Sequence, residues 1–204
     1  MNAKARVSAG RSGDLRRLAV VDESSPTRPD GHVLYSMGAA HLTIHERDRM
    51  SGLLAATLNR RNPFHWESEG PQVRRRMVET MGLADLRLVC ASQPCLPKAQ
   101  SDVRAKIWRD VLLPDASLHG VDELVIEGRS KAENDVDIVT IRNWCRDRRI
   151  TMFSCTFVHK STPEAWLADA AAGIWADVCL GRPVEAFGDL LSAGVVRQVT
   201  QWDA

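Results

Sequence analysis

Residues Leu15-Arg16-Arg17-Leu18-Ala19-Val20-Val21-Asp22-Glu23-Ser24-Ser25-Pro26 form an apolar, partly β-branched run that breaks abruptly into two acids and a turn cluster. That is the pattern of a buried strand ending on carboxylates. Outward from it, Pro29, Asp30 and Gly31 mark a turn-rich connection, and residues 32–44 read as a second strand, so the chain opens with a hairpin. Gly38 lies inside that strand, where a glycine marks a bulge or a close approach of another backbone. Met50, Leu53, Leu54 and Leu58 at helical spacing predict a helix over 46–60, stopped by Arg61-Asn62-Pro63. Phe64-His65-Trp66-Glu67-Ser68-Glu69-Gly70-Pro71 reads as an exposed loop, followed by a helix over 72–81 and a strand over 85–92.

The second half alternates: helix 101–113, strand 123–127, helix 135–148, strand 150–158, helix 163–180. Strands separated by helices of this length imply crossover units and parallel pairing. Local signals set the helix limits. Thr162 is placed to cap the last helix, with Pro163 at its first position and Glu164 in its first turn, and Asn134 is placed to cap the one before, which would account for Asp135 and Asp137 as dipole-facing acids.

The chain has 204 residues, 44% apolar and 26% charged, with 27 Lys+Arg against 26 Asp+Glu. This fits one globular domain, expected over 15–191, with a disordered start over 1–14 and an unassigned tail over 192–204. A formal charge of +1 supplies no global field toward nucleic acid or lipid, so any such binding needs a local patch. No apolar run reaches the length of a membrane span and the N-terminus has no export-type apolar core, so a cytoplasmic protein without membrane contact is expected. Five cysteines with no CxxC pair read as buried free thiols rather than a zinc site or a disulfide framework.

In an open α/β sheet the ligand site lies beyond the carboxyl ends of the strands. Two predicted strands end there on acids: Val20-Val21 runs into Asp22-Glu23, and Leu124-Val125-Ile126 into Glu127-Gly128-Arg129. Alternation puts Asp22 and Glu23 on opposite faces, and Asp22 is the better candidate for a shared site. A third acid, Asp169, sits in Trp166-Leu167-Ala168-Asp169-Ala170-Ala171-Ala172-Gly173-Ile174-Trp175, a helix too apolar to leave its carboxylate unpartnered. Gly173, one turn on, leaves Asp169 unscreened. Three converging carboxylates repel unless a cation lies between them, and an all-oxygen set suits Mg²⁺ or Mn²⁺. Such ions activate water for phosphodiester hydrolysis. Taken singly, each acid has a plainer reading as a turn or ion-pair partner.

The segments Leu18-Ala19-Val20-Val21-Asp22-Glu23-Ser24, Leu124-Val125-Ile126-Glu127 and Leu167-Ala168-Asp169-Ala170-Ala171-Ala172-Gly173 together resemble the RNase H-like family called domain of unknown function 3800. The similarity spans about residues 16–180. It implies an α/β, RNase H-like mixed sheet with an N-terminal hairpin and crossover helices. It also implies Asp22, Glu127 and Asp169 as metal ligands, with Glu23 or Glu67 as a fourth acid, and His65 with Glu67 as secondary candidates. Ser25 stands where the family has Gly, and the middle acid is the longer Glu127.

Other features carry less. His41 and His45 read as polar residues of one strand. Arg74-Arg75-Arg76 and Arg146, Arg148 and Arg149 read first as solvated helix faces, whereas Arg129 and Lys131, just past Glu127, are better placed for phosphate. Trp66 either stacks on a base or is pinned under the sheet, and Asp177 reads as a solvated helix residue. The reading is therefore a Mg²⁺- or Mn²⁺-dependent nuclease of prokaryotic or phage type acting on DNA or RNA. The alternative is a non-catalytic RNase H-like binding module of a defence or mobile-element system; a metabolic enzyme for a small phosphorylated substrate is a third, weaker reading.

Overall fold

The computed structural model describes residues 16–58, 63–184, 188 and 190, together with the backbone of 196–201. The start expected to be disordered, 1–14, lies outside the described residues.

The hairpin forms as read: β1 (Arg17–Ser24) pairs antiparallel with β2 (Val33–Thr43), Asp22 opposite Gly38. Then come α1 (Ile44–Leu58), α2 (Pro71–Gly82) and β3 (Arg87–Cys95), which is antiparallel to β2. Helix α1 starts at Ile44, so His45 is helical and does not share a strand face with His41. The single helix expected over 101–113 is α3 (Gln100–Ile107), a wider π turn over Trp108–Leu112, and α4 (Leu113–Leu118). Pro114 has no N–H to donate to the turn below it, and the widened turn accommodates that loss.

β4 (Glu123–Glu127) lies parallel to β1, and β5 (Ser154–Val158) parallel to β4; α5 (Lys131–Arg148) and α6 (Pro163–Cys179) complete the crossovers. Within the stretch unassigned from sequence, β6 (Val196–Gln201) pairs parallel to β3. The spatial order is β5-β4-β1-β2-β3-β6. With β2 antiparallel to its neighbours, the central order 3-2-1-4-5 is the RNase H-like mixed α/β arrangement.

Because β1 is buried on both faces, its alternation divides the core. Leu18 and Val20 face α6, α1 and α2, while Ala19 and Val21 face α3, α4 and α5. Helix α6 seats directly on β2, where a Cβ on Gly38 would lie 2.5 Å from the Ala172 amide nitrogen. The glycine that permits this contact is therefore Gly38 on the strand. Gly173 serves another purpose: the Trp66 indole fills the space of its missing side chain.

One expected helix cap is replaced, and another holds its position without a side-chain cap bond. Ser130, not Asn134, caps α5, in a capping box with Glu133. Asn134 instead accepts from the Arg129 amide at 3.0 Å and fixes the loop after β4. The Thr162 hydroxyl donates to the His159 carbonyl at 3.0 Å and makes no cap bond. No helix among the described residues is long and apolar enough to cross a membrane.

Candidate metal centre

Strand alternation carries Asp22 to the α6 side, where β4 delivers Glu127 and the second turn of α6 delivers Asp169. All three carboxylates meet at the carboxyl-end edge of the parallel strands. Asp22 is 5% exposed. Its Oδ1 accepts from the Glu23 amide at 2.7 Å, while its Oδ2 is buried without a hydrogen-bond partner, as is Glu127 Oε2. Burial, the Glu127 carboxyl and the Asp169 charge hold the Asp22 pKa well above the ordinary carboxylate value, with Lys160 pulling the other way.

Asp169, 2% exposed, is by contrast fully engaged. Its Oδ2 accepts from the Trp66 amide at 2.6 Å, and its Oδ1 lies 3.1 Å from His65 Nδ1 and 3.4 Å from Lys160 Nζ. The bond to Asp169 raises the His65 pKa above its ordinary value against partial burial. Lys160, in the loop after β5, also stands 3.6 Å from Glu127 Oε2. Burial works against its charge, but Asp169, Asp22 and Glu127 outweigh it and hold the ammonium above the ordinary lysine value.

Sequence reading missed Lys160. The available signal was its position just past β5, the third parallel strand opening on the same edge. Asp177 was misread as well. It is buried, its Oδ2 accepts from Trp66 Nε1 at 2.8 Å and Arg74 at 3.0 Å, and its Oδ1 accepts from Arg182 at 3.0 Å. Asp169, Gly173 and Asp177, four residues apart along one face of α6, thus grip Trp66 by its amide, its ring and its indole N–H. Trp66 is 3% exposed and has no free face for a base, which corrects the stacking option in favour of core packing. Arg74 folds over the same ring, 5.0 Å from its centroid.

The remaining candidates divide. Glu67 is exposed near His65 and adds a favourable charge to it. Glu23 lies on the opposite face of the sheet, bonded to the Tyr35 hydroxyl and to Arg104 Nη1. It is therefore not a fourth acid of this site, as alternation along β1 requires. Arg104 continues to Asp137, donating to Oδ1 at 2.8 Å and Oδ2 at 2.7 Å, and Trp108 Nε1 donates to the same carboxylate at 3.1 Å. Asp137, 1% exposed, is thus the centre of a buried ion network rather than a dipole-facing acid. Arg129 belongs to that network, with Glu133 at 3.0 Å and Asp137 at 3.5 Å, and does not stand free for phosphate. Lys131 is exposed and paired with Asp135 at 2.7 Å.

Among the described residues, no three His, Cys, Asp or Glu side chains are arranged as they stand to hold one metal ion. The donor set nonetheless fits a hard cation at two positions: Asp22 Oδ2 and Glu127 Oε2 are buried acceptors that make no hydrogen bond. The third carboxylate, Asp169, is at present occupied by protein donors.

No protein-family model matches the chain, so kinship with domain of unknown function 3800 stands as a resemblance of motifs. No curated protein matches either. Among solved structures, the chain is similar to a mutant of Bst-RNase HIII at 12% identity and TM-score 0.48, covering 83% of this chain and 56% of that one. RNase HII of Archaeoglobus fulgidus, solved with PCNA, aligns at 11% identity and TM-score 0.45, covering 87% and 90%. Bst-RNase HIII in complex with Mn²⁺ aligns at 11% identity and TM-score 0.45, covering 89% and 61%. The chain thus spans little more than half the length of the first of these proteins.

Proposed function

We propose that the chain is a Mg²⁺- or Mn²⁺-dependent nuclease that hydrolyses phosphodiester bonds of nucleic acid. Asp22 and Glu127 would hold the ion, and Asp169 would complete the set. One observation carries this reading. Two buried carboxyl oxygens, Asp22 Oδ2 and Glu127 Oε2, make no hydrogen bond at the ends of adjacent parallel strands, and only the Glu127 oxygen faces a cation, Lys160 at 3.6 Å. Such oxygens call for a shared proton or a cation. The resemblance of the β1, β4 and α6 motifs to domain of unknown function 3800 supports the same assignment.

When bound, a divalent ion supplies an activated water and neutralises charge on the phosphoryl oxygens. The chain's own groups do the rest. His65, partly exposed at the mouth and charged more readily because of Asp169, is placed to give a proton to the departing oxygen. Lys160 brings a positive charge beside the carboxylates, where a phosphate would otherwise be repelled. Asp169 positions both. The test is cleavage of end-labelled single- and double-stranded DNA, RNA and an RNA–DNA hybrid with Mg²⁺ or Mn²⁺ against EDTA. Metal-dependent cleavage lost in Asp22→Asn and Glu127→Gln is expected; undiminished cleavage by Asp22→Asn would end the assignment.

Lys160 also favours a second reading. Its ammonium already acts as a countercharge to Glu127 and Asp169, as in a scaffold that binds nucleic acid without cutting it. A rise in melting temperature with Mn²⁺ separates the two, because only a site that takes the ion stabilises the folded chain.

A further inference from the structure

At the opposite edge of the sheet, the start of β1, the end of β2, the start of β3 and the end of α4 enclose a cavity of about 160 Å³. Its polar lining comprises Arg17, His41, Thr43, Asp85, Arg87 and His119. Asp115, buried beneath, is bonded to Arg87 and lies 3.6 Å from His119 Nε2. From Arg17 to Asp22 is five residues of strand, about 17 Å, so this cavity is separate from the carboxylates at the other end of β1.

His41 is the group that points to a ligand. It is 7% exposed, lines the cavity, and neither of its ring nitrogens makes a hydrogen bond. Its Nδ1 stands 3.5 Å from Asp115 Oδ2, and both Asp115 oxygens already accept from Arg87. A buried imidazole leaves one donor and one acceptor idle only at a cost, which an incoming ligand with both capacities removes. Burial pushes the His41 pKa down to about 4, so the ring is neutral at pH 7 and keeps both capacities.

We infer that this cavity binds a protonated phosphate group, either inorganic phosphate or a phosphomonoester. Two guanidinium groups, Arg17 and Arg87, offer donors to the phosphoryl oxygens. The Arg17 guanidinium is little committed, with Nη1 at 3.4 Å from the His119 carbonyl. Asp85 and His41 line the same space, and an acceptor offered by either calls for an O–H on the ligand. Arg17 and Arg87 against Asp85 in the lining and Asp115 beneath it leave the cavity balanced in charge, so hydrogen-bond pattern rather than net charge selects the ligand. Inorganic phosphate carries such a proton near neutral pH and a phosphomonoester takes one on at about pH 6, whereas sulfate takes none.

The test is isothermal titration in EDTA at fixed ionic strength with inorganic phosphate, ribose 5-phosphate and sulfate, with the imidazole signals followed by NMR. Saturable binding of either phosphate, a shift of the His41 resonances, and weaker binding of sulfate are expected. Whichever phosphate binds tighter identifies the source. Arg17→Gln, at an exposed position with one long contact to lose, should keep its circular dichroism and lose at least about tenfold in phosphate affinity. Asp22→Asn should bind phosphate as the parent does. Sulfate binding equal to phosphate, no saturable binding, or an Arg17→Gln variant unchanged in affinity would each overturn the inference.

Discussion

Two acids adjacent in sequence, Asp22 and Glu23, meet opposite fates on the two faces of one strand. On the α3–α5 side, Glu23 belongs to a network in which Arg104, Arg129, Tyr35 and Trp108 supply donors to Glu23 and Asp137. On the α6 side, Asp22, Glu127 and Asp169 share one ammonium, Lys160, and two oxygens make no hydrogen bond. The first network has its charges matched and, Arg129 Nε apart, its donors assigned, as a structural ion cluster requires. The second is short of positive charge, a deficit that a fold tolerates only for a purpose.

The largest break of this contrast is Arg104→Met. It strands Asp137 and Glu23 in the interior and should cost about 3–5 kcal/mol in urea unfolding. Asp22→Asn should do the reverse. Removing a poorly partnered buried charge should raise the stability of the metal-free protein at pH 7 by on the order of 1–3 kcal/mol, while abolishing the thermal response to Mn²⁺. Because the folded-state pKa of Asp22 is raised, its contribution favours folding at low pH and is lost as pH rises through that folded value. The parent's advantage over Asp22→Asn should therefore shrink and reverse between acid and neutral pH.

Trp66→Phe keeps the ring against Gly173 but leaves Asp177 to its two arginines, and should cost about 1–2 kcal/mol. His65→Gln is smaller, below about 1 kcal/mol, since the ring is half in solvent. Its raised pKa makes that contribution full below the unfolded value and absent once pH rises through the folded one, as paired melts at pH 5.5 and 8.5 would show. Glu67→Gln, exposed beside it, should stay within about 0.5 kcal/mol and leave the Mn²⁺ response intact.

The five strands up to β5 and the placement of the three acids were legible in the sequence because each rests on a short-range signal: apolar runs ending on Asp22 and Glu127, and a carboxylate at Asp169 in an otherwise apolar helix. Alternation along β1 also separates Asp22 from Glu23. What stayed hidden depends on long-range pairing. Lys160 looks like any loop lysine until β5 docks beside β4. Asp137 looks like a first-turn acid until Arg104, 33 residues earlier, folds over it. Trp66 looks exposed in a polar segment until Gly173 opens a slot for its ring. The capping of α5 was misassigned because Ser130 and Asn134 are both competent caps, and the capping box with Glu133 decides between them.

Strand β1 buries apolar residues on both sides, Leu18 and Val20 on one and Ala19 and Val21 on the other. Its hydrophobic content therefore says little about which way up it should insert between β2 and β4. Slipping it by one position would put Glu23 in the place of Asp22, among Glu127 and Asp169, and Ser24 in the place of Glu23, so that Arg104 would lose that carboxylate. The adjacent pair thus doubles as an alignment key, admitting the strand in one setting during assembly and penalising its neighbour by electrostatics alone.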